Sequence, residues 1–434
     1  MKKVLIITYH FPPNRSPAGL RPTGLAKYLP EYGWEPVVLT PRLPGRMPLG
    51  FKIVETPYRD TFRLPKIILG VDAQQDMMPQ LAQLKKKLHI RSERSFFDYL
   101  MVTLGEVTAY PDARKGWRVP AVKTGTSYVR QEPVEAMIST SCYTSHIVAA
   151  DLKRLHGIAW VADFQDLWTL NHYYPYSRLR KWLETRLEVQ TLAGSDALVI
   201  ASEHTAGKMR ELHKGKSVRT ITNAFDPADI NNPPAALTKK FTITYTGNTF
   251  SGRQSPTLLF IALAGLIAEG AIEAGRVEVR FYGAEAGWIQ KEAERYGLEN
   301  VVRQFGTVPR EEALEKQRES QVLLMLKWND PTEKGIYSSK VFEYLAARRP
   351  ILAVGGYPDA VSDLLNETGA GVDASTKDDV LRALKQMLDE YRREGGVAYR
   401  GEPSKVDRYS FREMARRYAE VLGHATQQNR PANG

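Results

Sequence analysis

Short apolar runs alternate with amphipathic helical patterns along the chain, and this alternation constrains the fold more than any other feature. The run at residues 3–8 has the composition of a strand buried on both faces. A loop, a helical pattern near residues 23–32 and an apolar run at residues 35–40 follow it. A second series of this kind begins at residues 241–245, after the linker candidate at residues 231–234. We therefore expect an α/β fold with two doubly wound, Rossmann-like domains that face each other across a cleft.

The other predicted elements continue the same alternation, and a length of 434 residues favours two or three domains. We interpret residues 50–135, which are less regular, as an insertion-rich part of the first domain. Further strands are expected at residues 136–140, 159–162, 197–201, 277–282, 322–326 and 351–354, and further helices near residues 177–194, 255–269, 286–297, 310–319, 376–392 and 409–422. The expected domains are residues 1–230 together with a C-terminal helix at 409–424, and residues 236–400.

A loop rich in Gly and Ser leads into a helix and then an apolar strand over residues 335–356. Val341, Tyr344 and Leu345 have helical spacing. Pro350 is expected to end this helix, since proline cannot continue one. The N-terminus of this helix is therefore expected to follow directly on the loop rich in Gly and Ser.

The start of this helix has the chemistry of an anion site. Backbone N–H groups at Ser338 and Ser339 would face an anion there, and Lys340 adds a full positive charge. Glu343 follows on the first turn, and its carboxylate suits ribose hydroxyls. The pattern therefore indicates a nucleotide diphosphate, with an ordinary helix start and surface charges as the alternative.

Two carboxylates follow a predicted buried strand of the first domain. Asp163 comes directly after residues 159–162 and Asp166 three residues later, at the carboxyl end where α/β sheets hold ligands. Asp163 could orient or deprotonate an acceptor hydroxyl. Each aspartate could instead cap the next helix.

The loop after the first strand supplies further candidates. His10 is a rival base, or else a packed loop histidine. Gly19 and Arg21 follow in a stretch whose Gly and Pro content lets the backbone approach a diphosphate or an acceptor. A plain turn between a strand and a helix is the alternative for this stretch.

Composition excludes several classes of protein. Cys142 is the only cysteine, so no disulfide framework exists and a reducing compartment is expected. No G-x-G-x-x-G follows the first strand, no Walker A motif appears, and no metal-ligand spacing is present. We therefore expect no resident cofactor and no metal. Since no signal segment or membrane span is visible, a cytoplasmic location is expected.

The net charge of +11 permits an anionic partner. Part of this charge lies just before an apolar and aromatic stretch at residues 96–102, a pattern typical of segments that contact anionic lipid. A solvated face is the alternative, and no nucleic-acid-binding signature is present. The basic residues of the segment, within an insertion at about 80–105, are Lys85, Lys86, Lys87, Arg91 and Arg94.

Several segments, in order along most of the chain, resemble the family-4 glycosyltransferases of the GT-B fold. The stretch from Gly335 resembles the donor site of that family, which has a Glu-Tyr-Leu-Ala-Ala helix at this point. The other segments that resemble the family are residues 9–13, 24–34, 160–168, 221–226 and 245–247 with Arg253.

The resemblance implies a retaining, metal-independent transfer of a sugar from a nucleotide diphosphate sugar, with UDP as the commonest nucleotide, to a glycan or lipid-linked hydroxyl. Polysaccharide or cell-envelope glycan assembly, at the inner membrane face, is the implied setting. Arg253 and Lys340 would stabilise the leaving diphosphate beside Gly247. Backbone groups of Gly306, Thr307 and Val308 would read the base.

One departure from the family pattern concerns the donor sugar. The family usually has a second acidic residue eight positions before Glu343, and this chain has Gly335 there. Backbone groups near Gly335 are a plausible substitute, since glycine lets the chain approach closely. Two other functions stay open: a sugar-nucleotide epimerase of the same fold, and a non-catalytic basic adaptor for membranes or anionic polymers.

Overall fold

The computed structural model describes residues 1–13, 16–42, 45, 50–58, 109–230, 233 and 235–429, and elements are numbered here over these residues. The chain divides into two compact units. The first unit comprises Met1–Ala201, Thr205–Ile221 and Ala415–Gly434, and the second comprises Ser202–His204 and Thr222–Met414.

The first unit contains a seven-stranded sheet in which every neighbouring pair is parallel. Its strands are β1 (Lys2–Thr8), β2 (Trp34–Pro41), β3 (Lys52–Thr56), β4 (Ala136–Thr140), β5 (Ala159–Phe164), β6 (Ala197–Ile200) and β7 (Val218–Thr220). Their order is β3-β2-β1-β4-β5-β6-β7. The direction of progression reverses between β1 and β4, and such a switch point is where α/β sheets bind ligands, at the carboxyl ends of the strands.

The second unit contains a six-stranded parallel sheet with the same kind of reversal. Its strands are β8 (Phe241–Thr246), β9 (Val277–Tyr282), β10 (Val302–Gln304), β11 (Val322–Leu326), β12 (Ile351–Val354) and β13 (Gly371–Ala374). Their order is β10-β9-β8-β11-β12-β13, so the switch point lies between β8 and β11. Both of these strands are buried along their whole length, which explains the continuous apolar run of β11.

Helices connect the strands in both units. They are α1 (Leu20–Tyr28), α2 (Arg118–Gln131), α3 (Tyr143–His156), α4 (Arg178–Leu192), α5 (Glu203–Leu212), α6 (Thr257–Ala268), α7 (Gly287–Arg295), α8 (Arg310–Arg318), α9 (Ser339–Ala347), α10 (Ala360–Thr368), α11 (Lys377–Glu394), α12 (Pro403–Val406) and α13 (Phe411–Gln428). Short 3-10 helices lie at Pro17–Gly19, Leu29–Tyr32, Lys115–Trp117, Pro227–Asp229, Ala274–Arg276 and Asp407–Tyr409. None of the described helices is both long and apolar enough to cross a bilayer.

The predicted α/β class with two doubly wound sheets is confirmed. Residues 50–135 are more regular than the sequence suggested, since they contain β3 and α2.

The helix that Pro350 was expected to end stops earlier, because Arg348 takes a left-handed conformation with φ of 52°. The basic residues of the predicted membrane segment lie outside the described residues.

The structure places the chain around residue 225 with the second unit, whereas the sequence assigned residues up to 230 to the first. Phe225 is buried among apolar residues of the second unit. Its backbone N–H donates to the Tyr409 carbonyl at 2.9 Å, and its own carbonyl accepts from the Phe411 N–H at 2.8 Å. Helix α13 begins in the second unit and, from Ala415 onwards, belongs to the first.

Candidate functional site

Two glycines bring the loops after β8 and β9 into close contact at the edge of the second sheet. Gly247, directly after β8, has a φ of 106°, and a Cβ atom there would lie 2.4 Å from Lys340 Cε. Gly283, directly after β9, has a φ of 158°, and a Cβ atom there would lie 2.2 Å from the Gly247 carbonyl oxygen. A side chain at either position would collide with its neighbour, so glycine is what lets Lys340 reach the edge of the sheet.

The side chain of Lys340 lies across Gly247 at the first turn of α9. Its Nζ atom is 3.3 Å from the Ser338 hydroxyl and 5.2 Å from the centroid of the Tyr245 ring. Burial lowers the pKa of Lys340 to about 8, and the nearby Glu343 carboxylate opposes this change. The position combines a poorly solvated cation with the N-terminus of a helix, as an anion site requires.

Ser338 and Ser339 supply the helix start that the sequence predicted. Ser338 is the N-cap residue with extended backbone, and its side chain makes no capping hydrogen bond. Its carbonyl oxygen accepts from the Val341 N–H at 3.1 Å. The N–H groups of the first turn therefore point out of the helix beside Lys340.

Glu343 lies one turn further along α9, on the same side as Lys340. Its carboxylate is 23% exposed and lies 3.4 Å from Arg310 Nε. Gln317 Nε2 donates to it at 3.4 Å. Both contacts are long, so the carboxylate keeps acceptor capacity for a ligand. Neither α8 residue was identified from the sequence, because the α8 pattern is that of a charged surface helix.

An acidic residue close to Gly335 also escaped the sequence analysis. Glu333 is 8% exposed, and its carboxylate accepts a hydrogen bond from the Gly335 N–H at 3.1 Å. Glu333 lies ten positions before Glu343, whereas the acidic residue of the family pattern lies eight positions before it. The loop before α9 therefore does carry a buried carboxylate.

Arg253 follows β8 in an exposed loop. Its carbonyl accepts from the Asn329 N–H at 2.7 Å, which links the loops after β8 and β11. Its guanidinium carbon lies 5.8 Å from the centroid of the Trp328 ring. Trp328 in turn stacks on Phe250, with centroids 5.4 Å apart. The sequence singled out the arginine but not this aromatic pair.

The predicted base-reading segment lies after β10, beside the glycine loops. The Gly306 carbonyl accepts from the Gly283 N–H at 2.8 Å. Phe305 stacks on Tyr282 with centroids 4.7 Å apart and is 44% exposed. Thr307 is exposed and Val308 half-buried. The backbone of this segment therefore lies at the same sheet edge as Gly247.

The first unit contains a buried charged cluster formed by Arg21, Asp163 and Tyr418. Asp163 is fully buried, and Arg21 Nε donates to both of its carboxylate oxygens at 3.0 Å. Tyr418 of α13 donates to Asp163 at 2.5 Å and accepts from Arg21 at 2.7 Å. Thr140 donates to Asp163 at 2.6 Å, and the Ile221 carbonyl accepts from Arg21 at 2.8 Å.

These contacts occupy the groups that the sequence assigned to acceptor chemistry. A fully paired, buried carboxylate and guanidinium hold α1, β5 and α13 together, which is a structural function. Asp163 lies inside β5 and not after it, so the sequence placed the end of this strand too early. A catalytic role for Asp163 or a phosphate-binding role for Arg21 stays a prediction, and the geometry favours the structural alternative.

A cavity of about 210 Å³ lies beside this cluster, at the carboxyl ends of β4 and β5 and the start of α3. Asp112 holds one of its walls, because its carboxylate accepts from the Thr144 N–H at 2.8 Å and from the Thr144 hydroxyl at 2.7 Å. The described residues that line the cavity are Ala18, Asp112, Ser141, Cys142, Tyr143, His146, Asp163, Phe164, Gln165 and Asp166.

A chain of hydrogen bonds orients the ring of His146 in this cavity. Trp160 Nε1 donates to Ser139 Oγ at 2.8 Å, and Ser139 Oγ lies 2.8 Å from His146 Nδ1. Burial lowers the pKa of His146 to about 4, so the ring is neutral at pH 7.

The other predicted residues of the first unit lie around the same strand ends. Asp166 is exposed at the cavity, and His10 is half-buried, with its N–H donating to the Ser141 hydroxyl at 3.4 Å. Gly19 packs so closely on the chain that a Cβ atom would lie 3.3 Å from the His10 carbonyl. His146 was missed because its position inside α3 resembles that of a core residue.

Over the described residues, no cluster of three or more His, Cys, Asp or Glu side chains is arranged to hold a metal ion. The predicted residues of the second unit lie at one edge of its sheet, at or next to the loops described above. In the first unit, Arg21 and Asp163 belong to the buried cluster, Asp166 lines the cavity, and His10 and Gly19 lie close to the end of β1.

Comparisons with known proteins agree with this geometry. Residues 18–224 match the family model described as a glycosyl transferase 4-like domain. A D-inositol 3-phosphate glycosyltransferase from Streptomyces avermitilis is 28% identical over 217 residues, which cover 47% of this chain and 44% of that protein. The chain thus matches less than half the length of this curated relative.

Solved structures share the fold over nearly the whole chain. HepE from Anabaena, in complex with UDP and glucose, aligns with a TM-score of 0.59 at 12% identity, covering 98% of this chain and 100% of that one. Sucrose-phosphate synthase from Thermosynechococcus elongatus aligns with a TM-score of 0.56 at 13% identity, covering 99% and 97%. AviGT4, a glycosyltransferase of avilamycin A biosynthesis, aligns with a TM-score of 0.53 at 14% identity, covering 99% of both chains. The chain therefore has the GT-B fold, and its residues 18–224 are similar to the glycosyl transferase 4-like domain.

Proposed function

We propose that this protein transfers a sugar from a nucleotide diphosphate sugar to a hydroxyl of a glycan or lipid-linked acceptor, with retention of configuration. The observation that carries the proposal is Lys340, whose half-buried side chain lies across Gly247 at the N-terminus of α9, with Glu343 one turn away. A cation and free amides suit a diphosphate, and a carboxylate suits ribose hydroxyls.

The second unit would bind the donor. Lys340, the first-turn amides of α9 and Arg253 would stabilise the negative charge that develops on the leaving diphosphate, without a metal ion or another cofactor. Glu343 would accept hydrogen bonds from the ribose, and backbone groups of residues 305–308 would hold the base. UDP is the first nucleotide to test, since HepE, which shares the fold, was solved with UDP and glucose.

In the proposed reaction the bond between the anomeric carbon and the phosphate oxygen breaks, and the acceptor oxygen bonds to the same face of that carbon. The proton of the acceptor hydroxyl passes to the departing phosphate oxygen, so no protein nucleophile takes part. Asp163 is not needed as a base in this scheme, which agrees with its pairing to Arg21.

The cavity of the first unit is the proposed place for an acceptor hydroxyl. A His146 ring with its proton on Nε2 would donate to such a group, and the carboxylate of Asp166 would accept from it. Assembly of polysaccharides or cell-envelope glycans, on the cytoplasmic face of a membrane, is the proposed setting. Contact of Lys85, Lys86, Lys87, Arg91 and Arg94 with anionic lipid belongs to this proposal.

The test is a thermal-shift screen against UDP, GDP, ADP, CMP and dTDP and their sugars, repeated with Glu343→Ala. A ligand at 100 times its Kd adds about 2.7 kcal/mol to the free energy of unfolding. We expect one nucleotide to stabilise the wild type and not the variant. The absence of any shift would contradict the donor site, and consumption of the sugar nucleotide without any acceptor would favour an epimerase.

A further inference from the structure

Helix α4 presents four apolar side chains to solvent and buries three charged ones. Arg180, Glu184 and Glu188 are 4%, 1% and 1% exposed. A helix on the surface of a globular protein normally has the opposite arrangement, with an apolar stripe against the core. The apolar residues on its outer face are Leu179 (68% exposed), Trp182 (49%), Leu183 (44%) and Val189 (39%).

The buried charges of α4 are fully engaged, so this orientation of the helix is fixed. Arg180 Nε donates to Glu184 at 2.7 Å. Glu188 accepts from the Thr169 N–H at 3.0 Å and from the Thr169 hydroxyl at 2.5 Å, and lies 3.2 Å from His213 Nε2. Turning the apolar residues inward would leave these charges without partners, at a large cost in stability.

The charges on the outer side of α4 all have one sign. Its two acidic residues are Glu184 and Glu188, which are both buried. The basic residues outside the core are Arg178, Lys181 and Arg186. The Arg186 guanidinium lies 3.7 Å from the centroid of the Trp182 ring, so the charge stands beside the apolar surface. Leucines and a tryptophan flanked by basic groups are the composition of a helix that lies in a lipid interface.

We propose that the outer face of α4 binds an anionic lipid surface. Leu179, Trp182 and Leu183 would enter the boundary between headgroups and acyl chains, and Arg178, Lys181 and Arg186 would contact lipid phosphates. The positive charge favours an anionic bilayer over a neutral apolar protein partner. This inference does not depend on the transferase activity, and it concerns a different segment from residues 85–94.

The experiment is sedimentation of the full chain with vesicles of phosphatidylcholine alone or with about one third phosphatidylglycerol. We expect the wild type to bind the anionic vesicles much more strongly. Leu179→Ser with Trp182→Ser should weaken that binding at least about tenfold, since both side chains would leave the lipid interface. Arg178→Glu, Lys181→Glu and Arg186→Glu together should weaken it at least about a hundredfold.

A matched control is Val119→Ser with Leu155→Ser, because these residues of the same unit are 76% and 56% exposed but lie on other helices. The control should bind like the wild type, and nucleotide-induced thermal shifts should be the same in all variants. Wild-type binding by the α4 variants, or weakening only in Lys85→Glu, Lys86→Glu and Lys87→Glu, would overturn the proposal. So would a change from dimer to monomer without lipid, which would make this face an interface between copies.

Discussion

Lys340 is the residue on which the donor site depends most. It is held in a poorly solvated position by Gly247, and a lost contact to a developing charge costs about 2.7–4 kcal/mol in the barrier. We therefore expect Lys340→Met and Glu343→Ala each to lower kcat/KM for transfer at least about a hundredfold. The measurement is steady-state transfer with the donor identified in the thermal-shift screen.

Both variants should keep the wild-type circular dichroism spectrum, because neither side chain is part of an apolar core. Lys334→Met is a suitable control, since this lysine is exposed in the loop before α9. Near-normal turnover in Lys340→Met and Glu343→Ala would mean that the diphosphate binds elsewhere.

The depressed pKa of Lys340 predicts a pH dependence of nucleotide binding. Burial lowers this pKa to about 8, so the cation that attracts a diphosphate is lost as the pH rises above that value. The Kd of the nucleoside diphosphate should therefore rise above pH 8, by up to about tenfold per pH unit. Calorimetric titration between pH 7 and 9 measures this. Lys340→Met should show a weaker and nearly pH-independent Kd, and an equally steep dependence in that variant would assign the titration to another group.

A substitution at Gly247 also probes the donor site, because it changes the backbone on which Lys340 lies. Its φ of 106° and the 2.4 Å approach of Lys340 Cε mean that Gly247→Ala adds both strain and a collision. We expect a lower stability and a loss of nucleotide affinity, because Lys340 has to move. Gly252→Ala is the matched control, since Gly252 has a φ of 73° but no neighbouring atom within 4 Å of the position that a Cβ atom would take. It should lower stability without changing affinity.

At the level of elements, the buried cluster of Arg21, Asp163 and Tyr418 connects α1, β5 and α13. Tyr418→Phe removes a donor to Asp163 and an acceptor from Arg21, and should lower the free energy of unfolding by about 1–3 kcal/mol. Urea denaturation measures this loss. Asp163→Asn should cost more, about 3–5 kcal/mol, because it leaves Arg21 buried without its counter-ion. An Asp163→Asn variant with wild-type stability but no transfer would instead support the catalytic role.

Sequence patterns predicted the limits of several strands. The limits predicted for the strands at Ala136–Thr140, Val277–Tyr282 and Val322–Leu326 are those of the structure. The error at β5 has a physical reason. Asp163 looks like the start of a loop, because a lone carboxylate rarely lies in a strand, and only the distant Arg21 and Tyr418 make its burial possible.

The same limitation explains what was missed at the sites. Lys340 and Glu343 are recognisable because they lie three residues apart on one helix. The partners of Glu343 come from α8, and the chain of hydrogen bonds to His146 joins β4, β5 and α3. Residues on different elements are far apart in the sequence, so their contacts produce no spacing pattern that could be recognised there. Helix α4 was predicted simply as a helix, because the periodicity of a helix does not show that some of its apolar residues face solvent.

At the scale of the whole molecule, the two units offer sites of different character. The second presents Lys340, Arg253 and a helix N-terminus, which suit an anion. The cavity of the first has Asp112 and Asp166 in its lining and a neutral histidine. Lys and Arg do not occur among the described residues of that lining, and this favours an uncharged, hydroxyl-bearing ligand.

This difference predicts where a nucleotide protects the chain in hydrogen exchange. The strongest protection by the nucleoside diphosphate should fall in the loops around Gly247, residues 305–308 and residues 335–343, because their amides would contact the ligand. His146→Gln should leave that protection unchanged while raising the KM for the acceptor, since its ring lies in the first unit. Protection confined to residues 139–146 and 163–166 would mean that the nucleotide binds to the first unit. Lys340 would then have no part in stabilising the leaving diphosphate.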